Sequence, residues 1–316
     1  MRRFARPLIV STLTAVVVLT AATLPALAKS GPPSKPGPSP KPGPITTGND
    51  ISWPQCGGSY PAGQAFGIVG VNGGLANDQN PCFGSELAWA WSSSGNSSPG
   101  TLPKAALVVN TADPGQVVPT VSDWPTNNTD PNGFSEAPGS TNEDPNGPCS
   151  GTGTDDKACA WQYGWDRAIQ DMMWLVSTTP LPTGVLNANV PSSYPWWLDV
   201  ETSNSWETGT AGLTNNVADL QGMVAAFSSA TNETYAGTRL GGAKSVGIYS
   251  TSSQWNQITG GSTATLGSLL GLLDWIPGAR TLSAAESNCS LPGFTTSKPT
   301  ITQWFGKPYD GDYACG

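Results

Sequence analysis

The chain has 316 residues, no histidine, 22 acidic against 14 basic residues and a formal net charge of −8. All the acids but only 8 of the basic residues lie beyond residue 48, which leaves that part at −14 and argues against nucleic acid and anionic lipid as ligands. Without imidazole there is no Ser-His-Asp or Cys-His catalysis and no usual nitrogen ligand for zinc, so hydrolytic chemistry has to run on carboxylates, with no metal and no cofactor.

In chain order, Arg2, Arg3 and Arg6 precede an apolar run from Leu8 to about Leu24, closed by Ala26-Leu27-Ala28. This predicts a cleavable secretory signal over residues 1–28. Ser11, Thr12 and Thr14 dilute the run below the roughly 20 apolar residues of a spanning helix, so a membrane anchor is discounted. Residues 29–48, KSGPPSKPGPSPKPGPITTG, have almost nothing to bury and enough proline to form an extended spacer. Residues 49–316 then read as one domain, with no second linker. Its six cysteines predict three disulfides in an oxidising compartment, and nearness in sequence pairs Cys56 with Cys82, Cys149 with Cys159 and Cys289 with Cys315. The expectation is a secreted, monomeric protein with no membrane contact after cleavage.

Short β-rich runs are expected at 50–53, 66–71, 105–110, 196–200, 246–249, 272–276 and 301–304. The clearest helix is 160–177, where Trp161, Trp165, Ala168, Ile169, Met172 and Val176 share one side and Gln162, Asp166, Gln170 and Asp171 the other. A second spans about 215–229, with Thr214 as its cap and Val217, Leu220, Val224 and Phe227 as its buried stripe; a third covers 86–91. Seven strands and one that cannot be placed predict an α/β fold, a (β/α)8 TIM-type barrel with room for irregularity and a long insertion after the third strand. A doubly wound sheet is the alternative. The insertion, residues 111–158, is dense in turn formers and twice reads Asp-Pro-Asn-Gly, at 130–133 and 144–147. Composition makes it a tolerated surface loop, whereas its place after a strand puts it on the rim where barrel active sites are built.

The sharpest local feature is the apolar run Tyr194-Pro195-Trp196-Trp197-Leu198 ending in Asp199-Val200-Glu201. Residues i and i+2 of a strand point the same way, so Asp199 and Glu201 should face the barrel mouth together, roughly 6 to 7 Å apart. Such a pair favours one protonated acid beside an ionised partner, as glycosidic cleavage requires. The plainer reading is a strand end with two solvated acids. Asp50, at the head of the first strand, and Asp310, near the C-terminus, would join them where a closed barrel brings the chain ends together. Of the 13 tryptophans, Trp53, Trp275 and Trp304 stand at strand ends, where indole faces can stack on sugar rings; Trp161 and Trp165 belong to the core.

These segments have a familiar order. Asp50-Ile51-Ser52 with Gln55, Leu198 to Glu201, Gly247-Ile248-Tyr249-Ser250 with Trp255, Leu273-Asp274-Trp275-Ile276, and Thr302-Gln303-Trp304 before Asp310 together resemble the family 25 glycoside hydrolases, lysozyme-type muramidases on a β/α barrel. The resemblance implies retaining cleavage of the β-1,4 bond of peptidoglycan or a related amino-sugar polymer. Glu201 would be the proton donor and Asp199 the nucleophile or the group that steadies the substrate's acetamido arm. Asp50 and Asp310 would line the pocket floor, with Trp53, Asn110, Tyr249, Trp275 and Trp304 as further sugar contacts. The chain departs from the family at Gly70-Val71-Asn72-Gly73-Gly74, in place of a Lys and an acid, and at Val109-Asn110, in place of an aromatic-His pair. Those departures keep open a non-catalytic glycan-binding barrel at the cell surface.

Overall fold

The computed structural model describes residues 45–117, 123–129, 131–134, 144–150, 154–229 and 234–316. The expected signal peptide, residues 1–28, and most of the expected Pro-rich spacer lie outside the described residues. The domain opens slightly earlier than expected, since the first strand, β1, is Gly48–Ile51. It is followed by β2 (Gly67–Gly70), α1 (Phe83–Trp91), β3 (Ala105–Asn110), α2 (Lys157–Ser177), β4 (Pro195–Asp199) and α3 (Gly209–Ser228). A small hairpin, β5 (Thr234–Tyr235) and β6 (Thr238–Arg239), leads into β7 (Ser245–Tyr249), α4 (Ser252–Thr259) and α5 (Thr263–Leu266). The chain ends with β8 (Leu273–Ala279), α6 (Leu282–Asn288), β9 (Pro299–Trp304) and β10 (Gly311–Ala314).

Eight strands close into a barrel in the order β1-β2-β3-β4-β7-β8-β9-β10. Neighbours from β1 to β9 are parallel, and β10 runs antiparallel to both β9 and β1. The barrel is therefore mixed, and helix does not alternate with strand all the way round. Between β1 and β2 there is only a single 3-10 turn, Trp53–Gln55, and a loop. Between β9 and β10 stand just residues 305–310, too few for the crossover of a dozen or more residues that a parallel partner needs. A hairpin is the only connection that fits. This last strand is the one that could not be placed, because Gly311-Asp312-Tyr313-Ala314 has no apolar run to announce it.

The barrel interior is filled by Phe66, Ile68, Ala106, Trp197, Trp275, Ile301 and Ala314. A second, larger apolar layer lies between the strands and the helices α1 to α3. There Trp196 stacks on Phe227 with ring centroids 4.5 Å apart, and Trp161 on Trp165 at 5.5 Å. Helices α2 and α3 touch backbone to backbone: a Cβ at Gly164 would run into the Asp219 carbonyl, and one at Gly222 into that of Trp161.

Two expectations are corrected. The polar side of α2 is not solvated, since Gln162, Asp166 and Asp171 are all buried. The segment after β3 folds back over it: Trp124 stacks on Tyr163 at 5.3 Å, Asn128 donates to Gln162 Oε1, and the Cys149–Cys159 disulfide ties the segment to the helix. Nor does Thr214 cap α3. The helix starts from Thr208, its first turn packs Gly212 against Glu207, and the Thr214 hydroxyl donates to the Ala211 carbonyl. The other two disulfides, Cys56–Cys82 and Cys289–Cys315, also join the expected partners. No helix among the described residues is long and apolar enough to cross a membrane.

Candidate active site at the barrel mouth

The C-terminal ends of the strands surround a pocket of about 150 Å³ lined by residues of β1, β2, β3, β4, β7, β8 and β9 and the turns that follow them. Asp50, Asp199, Glu201 and Gln303 carry its polar chemistry; Asn72, Asn110, Tyr249 and Trp275 form the walls. A space of that size holds one six-membered ring.

The acid pair is set by strand parity. Beyond the end of β4 the ladder continues for one residue, with Val200 N–H on the Tyr249 carbonyl (2.9 Å) and the Ser250 hydroxyl on the Val200 carbonyl (2.7 Å). The backbone thus stays extended, and Asp199 and Glu201 both reach the pocket. The turn after them is pinned as well, since Thr111 Oγ1 and Asn204 Nδ2 donate to the Asp199 carbonyl and Trp206 Nε1 to that of Glu201. Gln254, on α4, takes the Thr202 N–H on its Oε1 (2.7 Å), which turns its Nε2 toward Glu201 Oε1 (3.4 Å).

Asp199 is the electrostatically stressed member. Burial, then the charges of Glu201 and Asp50, push its carboxyl well above the usual carboxylate range. Its Oδ1 is buried without a hydrogen-bond donor among the described residues. A ligand N–H or O–H placed there would supply what the protein does not.

Asp50 sits on the opposite wall. Gln303 Nε2 donates to its Oδ1 (2.8 Å) while Gln303 Oε1 accepts from the Tyr249 hydroxyl (3.0 Å). Burial nevertheless raises Asp50 to about 6, against the pull of that amide. Behind it lies Asp312, fully buried on β10, with Oδ1 accepting from Trp275 Nε1 at 3.0 Å. Burial and the neighbouring Asp50 charge drive the Asp312 carboxyl well above the usual range. Gly70 keeps the floor open, because a Cβ there would strike the Ser52 hydroxyl. Asn72 is held between the Asn110 N–H (2.8 Å) and Asp171 Oδ1 (2.9 Å).

No family model, curated protein or solved structure matches the chain.

Of the residues singled out from sequence, Asp50, Asn110, Asp199, Glu201, Tyr249 and Trp275 meet in the pocket. Trp53, Trp304 and Asp310 do not line it. Trp53 stands 47 % exposed in the turn after β1, Trp304 packs over Gly311, and Asp310 turns its Oδ1 to the Gly306 N–H. Asp310 still acts on the site through its charge, which raises Asp50. Asp312, Gln303, Asn72 and Ser52 were not among the expected site residues, although Ser52 and Gln303 stand in segments that carry the resemblance and Asn72 in one that departs from it. The alternation of β10 was the one available clue to Asp312, two residues past Asp310.

Proposed function

We propose that this protein is a secreted glycoside hydrolase that cleaves β-1,4 bonds in peptidoglycan or a related amino-sugar polymer, in the manner of the family 25 lysozymes. The convergence of Asp50, Asp199 and Glu201 in one ring-sized pocket at the barrel mouth carries this reading. In it, Glu201 protonates the leaving oxygen. Asp199, whose Oδ1 has no donor of its own, takes the N–H of the substrate's acetamido group and so steadies the acetamido oxygen as it closes on the anomeric carbon; direct attack by Asp199 is the other retaining route. Asp50 and Asp312, both raised by burial, limit the negative charge facing the sugar. The regular (β/α)8 scheme belongs to the same proposal as the parent pattern from which β10 departs.

Export and action at the cell wall rest on the signal sequence, with three disulfides in keeping with them. The test is release of new reducing ends from purified cell wall by the mature domain. Activity lost in Glu201→Gln with folding intact supports the proposal; a folded wild type inactive between about pH 4 and 8 contradicts it. Gly70, Asn72 and Asn110, which line the pocket and stand where the chain departs from the family, favour a second reading as a glycan-binding barrel. That reading requires binding without turnover, unchanged in Glu201→Gln.

A further inference from the structure

A second group of acids stands where the long β3–α2 connection meets the loop that leaves β4. The two segments are stitched by neutral groups, with Asp113 N–H on the Ser205 carbonyl (2.9 Å) and the Gln116 amide paired to the Thr208 N–H (3.1 Å) and carbonyl (2.8 Å). Between these stitches lie Asp113 and Glu207, 1 % and 3 % exposed, beside the exposed Asp155. Asn215 Nδ2 bridges Asp155 Oδ1 (2.8 Å) and Glu207 Oε2 (3.1 Å), and the Gly115 N–H serves Asp113 Oδ1 (3.1 Å). The carboxyls wrap so closely round Gly115 that a Cβ there would strike Glu207 Oε1 and stand 2.8 Å from Asp155 Oδ1.

Two buried oxygens, Glu207 Oε1 and Asp113 Oδ2, have no N–H or hydroxyl donor among the described residues. Glu207 Oε1 and Asp155 Oδ1 both crowd the Gly115 Cα, and one Asn215 amide is all that the two carboxyls share among the described residues. Ionised carboxyls packed round one glycine repel, and a proton held by one of them removes that repulsion and supplies the missing donor. A cation could do the same, but among the described residues no three His, Cys, Asp or Glu side chains are arranged to hold one.

We propose that Asp113, Asp155 and Glu207 form a proton-operated clasp that fastens the start of the long β3–α2 connection to the loop carrying Glu201, and that opens when Glu207 loses its proton. The groups facing it agree on direction. Asp219 of α3, buried beside them, is itself pushed well above the usual carboxylate range, by burial first and then by the charges of Asp113 and Glu207. Arg167 of α2 acts on Asp219, but its guanidinium lies against Asp123 (3.5 Å), Gln170 (2.8 Å) and the Tyr163 ring. Burial first, and Asp113 and Asp155 next, push Glu207 from 4.5 to about 9, while burial lifts Asp113 to about 7. Because these folded values lie above the unfolded ones, the clasp is strongest below the ordinary carboxylate range and weakens as pH rises toward the folded values. Its consequence is a rim that is closed in acid and loosened in alkali, with Glu201 at the start of the freed loop.

The experiment is amide hydrogen exchange on the mature protein, expressed as protection factors so that the intrinsic pH dependence cancels. Protection at Asp113 and Thr208 should fall at least about tenfold between about pH 5 and pH 9 in the wild type, and stay level in Glu207→Gln, whose amide donates at every pH. Should that variant fail to fold, the surface change Asp155→Asn serves, with a reduced fall expected. Equal falls in wild type and variant, or a level wild type, overturn the proposal. So does recovery of protection at high pH on adding millimolar calcium, which would make the linker a cation. The readout needs no catalytic activity, so it stands or fails apart from the glycosidase reading.

Discussion

Replacing Asp199 by Asn should make the protein more stable while disabling it. The side chain keeps its shape, and the new amide nitrogen finds acceptors in Asp50 and Glu201, which share the pocket. In the wild type, burial and two neighbouring negative charges raise the Asp199 carboxyl well above 3.8. Such a group binds its proton more tightly when folded. Native stability is therefore undiminished near pH 4 and falls by up to about 1.4 kcal/mol per pH unit from there toward the folded value. Other raised acids tilt both curves alike, so the difference between variant and wild type isolates Asp199. The two should coincide near pH 4 and separate progressively as pH rises toward neutrality, by at most about 1.4 kcal/mol per pH unit, with the variant the more stable. Denaturant titrations at several pH values measure this directly. A difference that does not change with pH, or a variant less stable than wild type at neutral pH, would refute the electrostatic picture of the pocket.

Other consequences are as specific. Glu201→Gln should lower hydrolysis about 10²–10⁴-fold without lowering the melting temperature by more than a degree or two, and a larger fall would mark the residue as structural. Gly222→Ala would ordinarily favour a helix by about 1 kcal/mol, but here the methyl meets the Trp161 carbonyl; a net loss of about 1–3 kcal/mol in chemical denaturation is expected, and a gain would show that α2 and α3 are not in such close contact. Replacing Cys149 and Cys159 by serine opens a short loop and should cost about 2–3 kcal/mol, with faster proteolysis in residues 123–150; unchanged proteolysis would mean that Trp124 and Asn128 hold the segment unaided.

What could be read from the residues depended on whether the signal was local. Asp199 and Glu201 were legible because parity along one strand fixes their common direction, and the β7 backbone extends that strand as far as Val200. The three disulfides followed from nearness because each joins loops or helix ends brought together over at most 26 residues. Where tertiary pairing decides, the residues mislead. Asp310 and Asp312 look alike in a row of turn formers, and only the antiparallel register, with Asp312 opposite Gln303, sends the second one inward. The polar side of α2 reads as solvated because nothing in its own spacing shows that Trp124 and Asn128 will cover it. Asp113, Asp155 and Glu207 come from three separate stretches, so no motif announces them.

The most direct test of the central claim is a crystal structure of Glu201→Gln with an oligomer of N-acetylglucosamine. One ring should occupy the barrel-mouth pocket, its acetamido N–H on Asp199 Oδ1 and its glycosidic oxygen beside residue 201. A saccharide seated on another face, or none bound at millimolar concentration by a folded protein, would contradict the account.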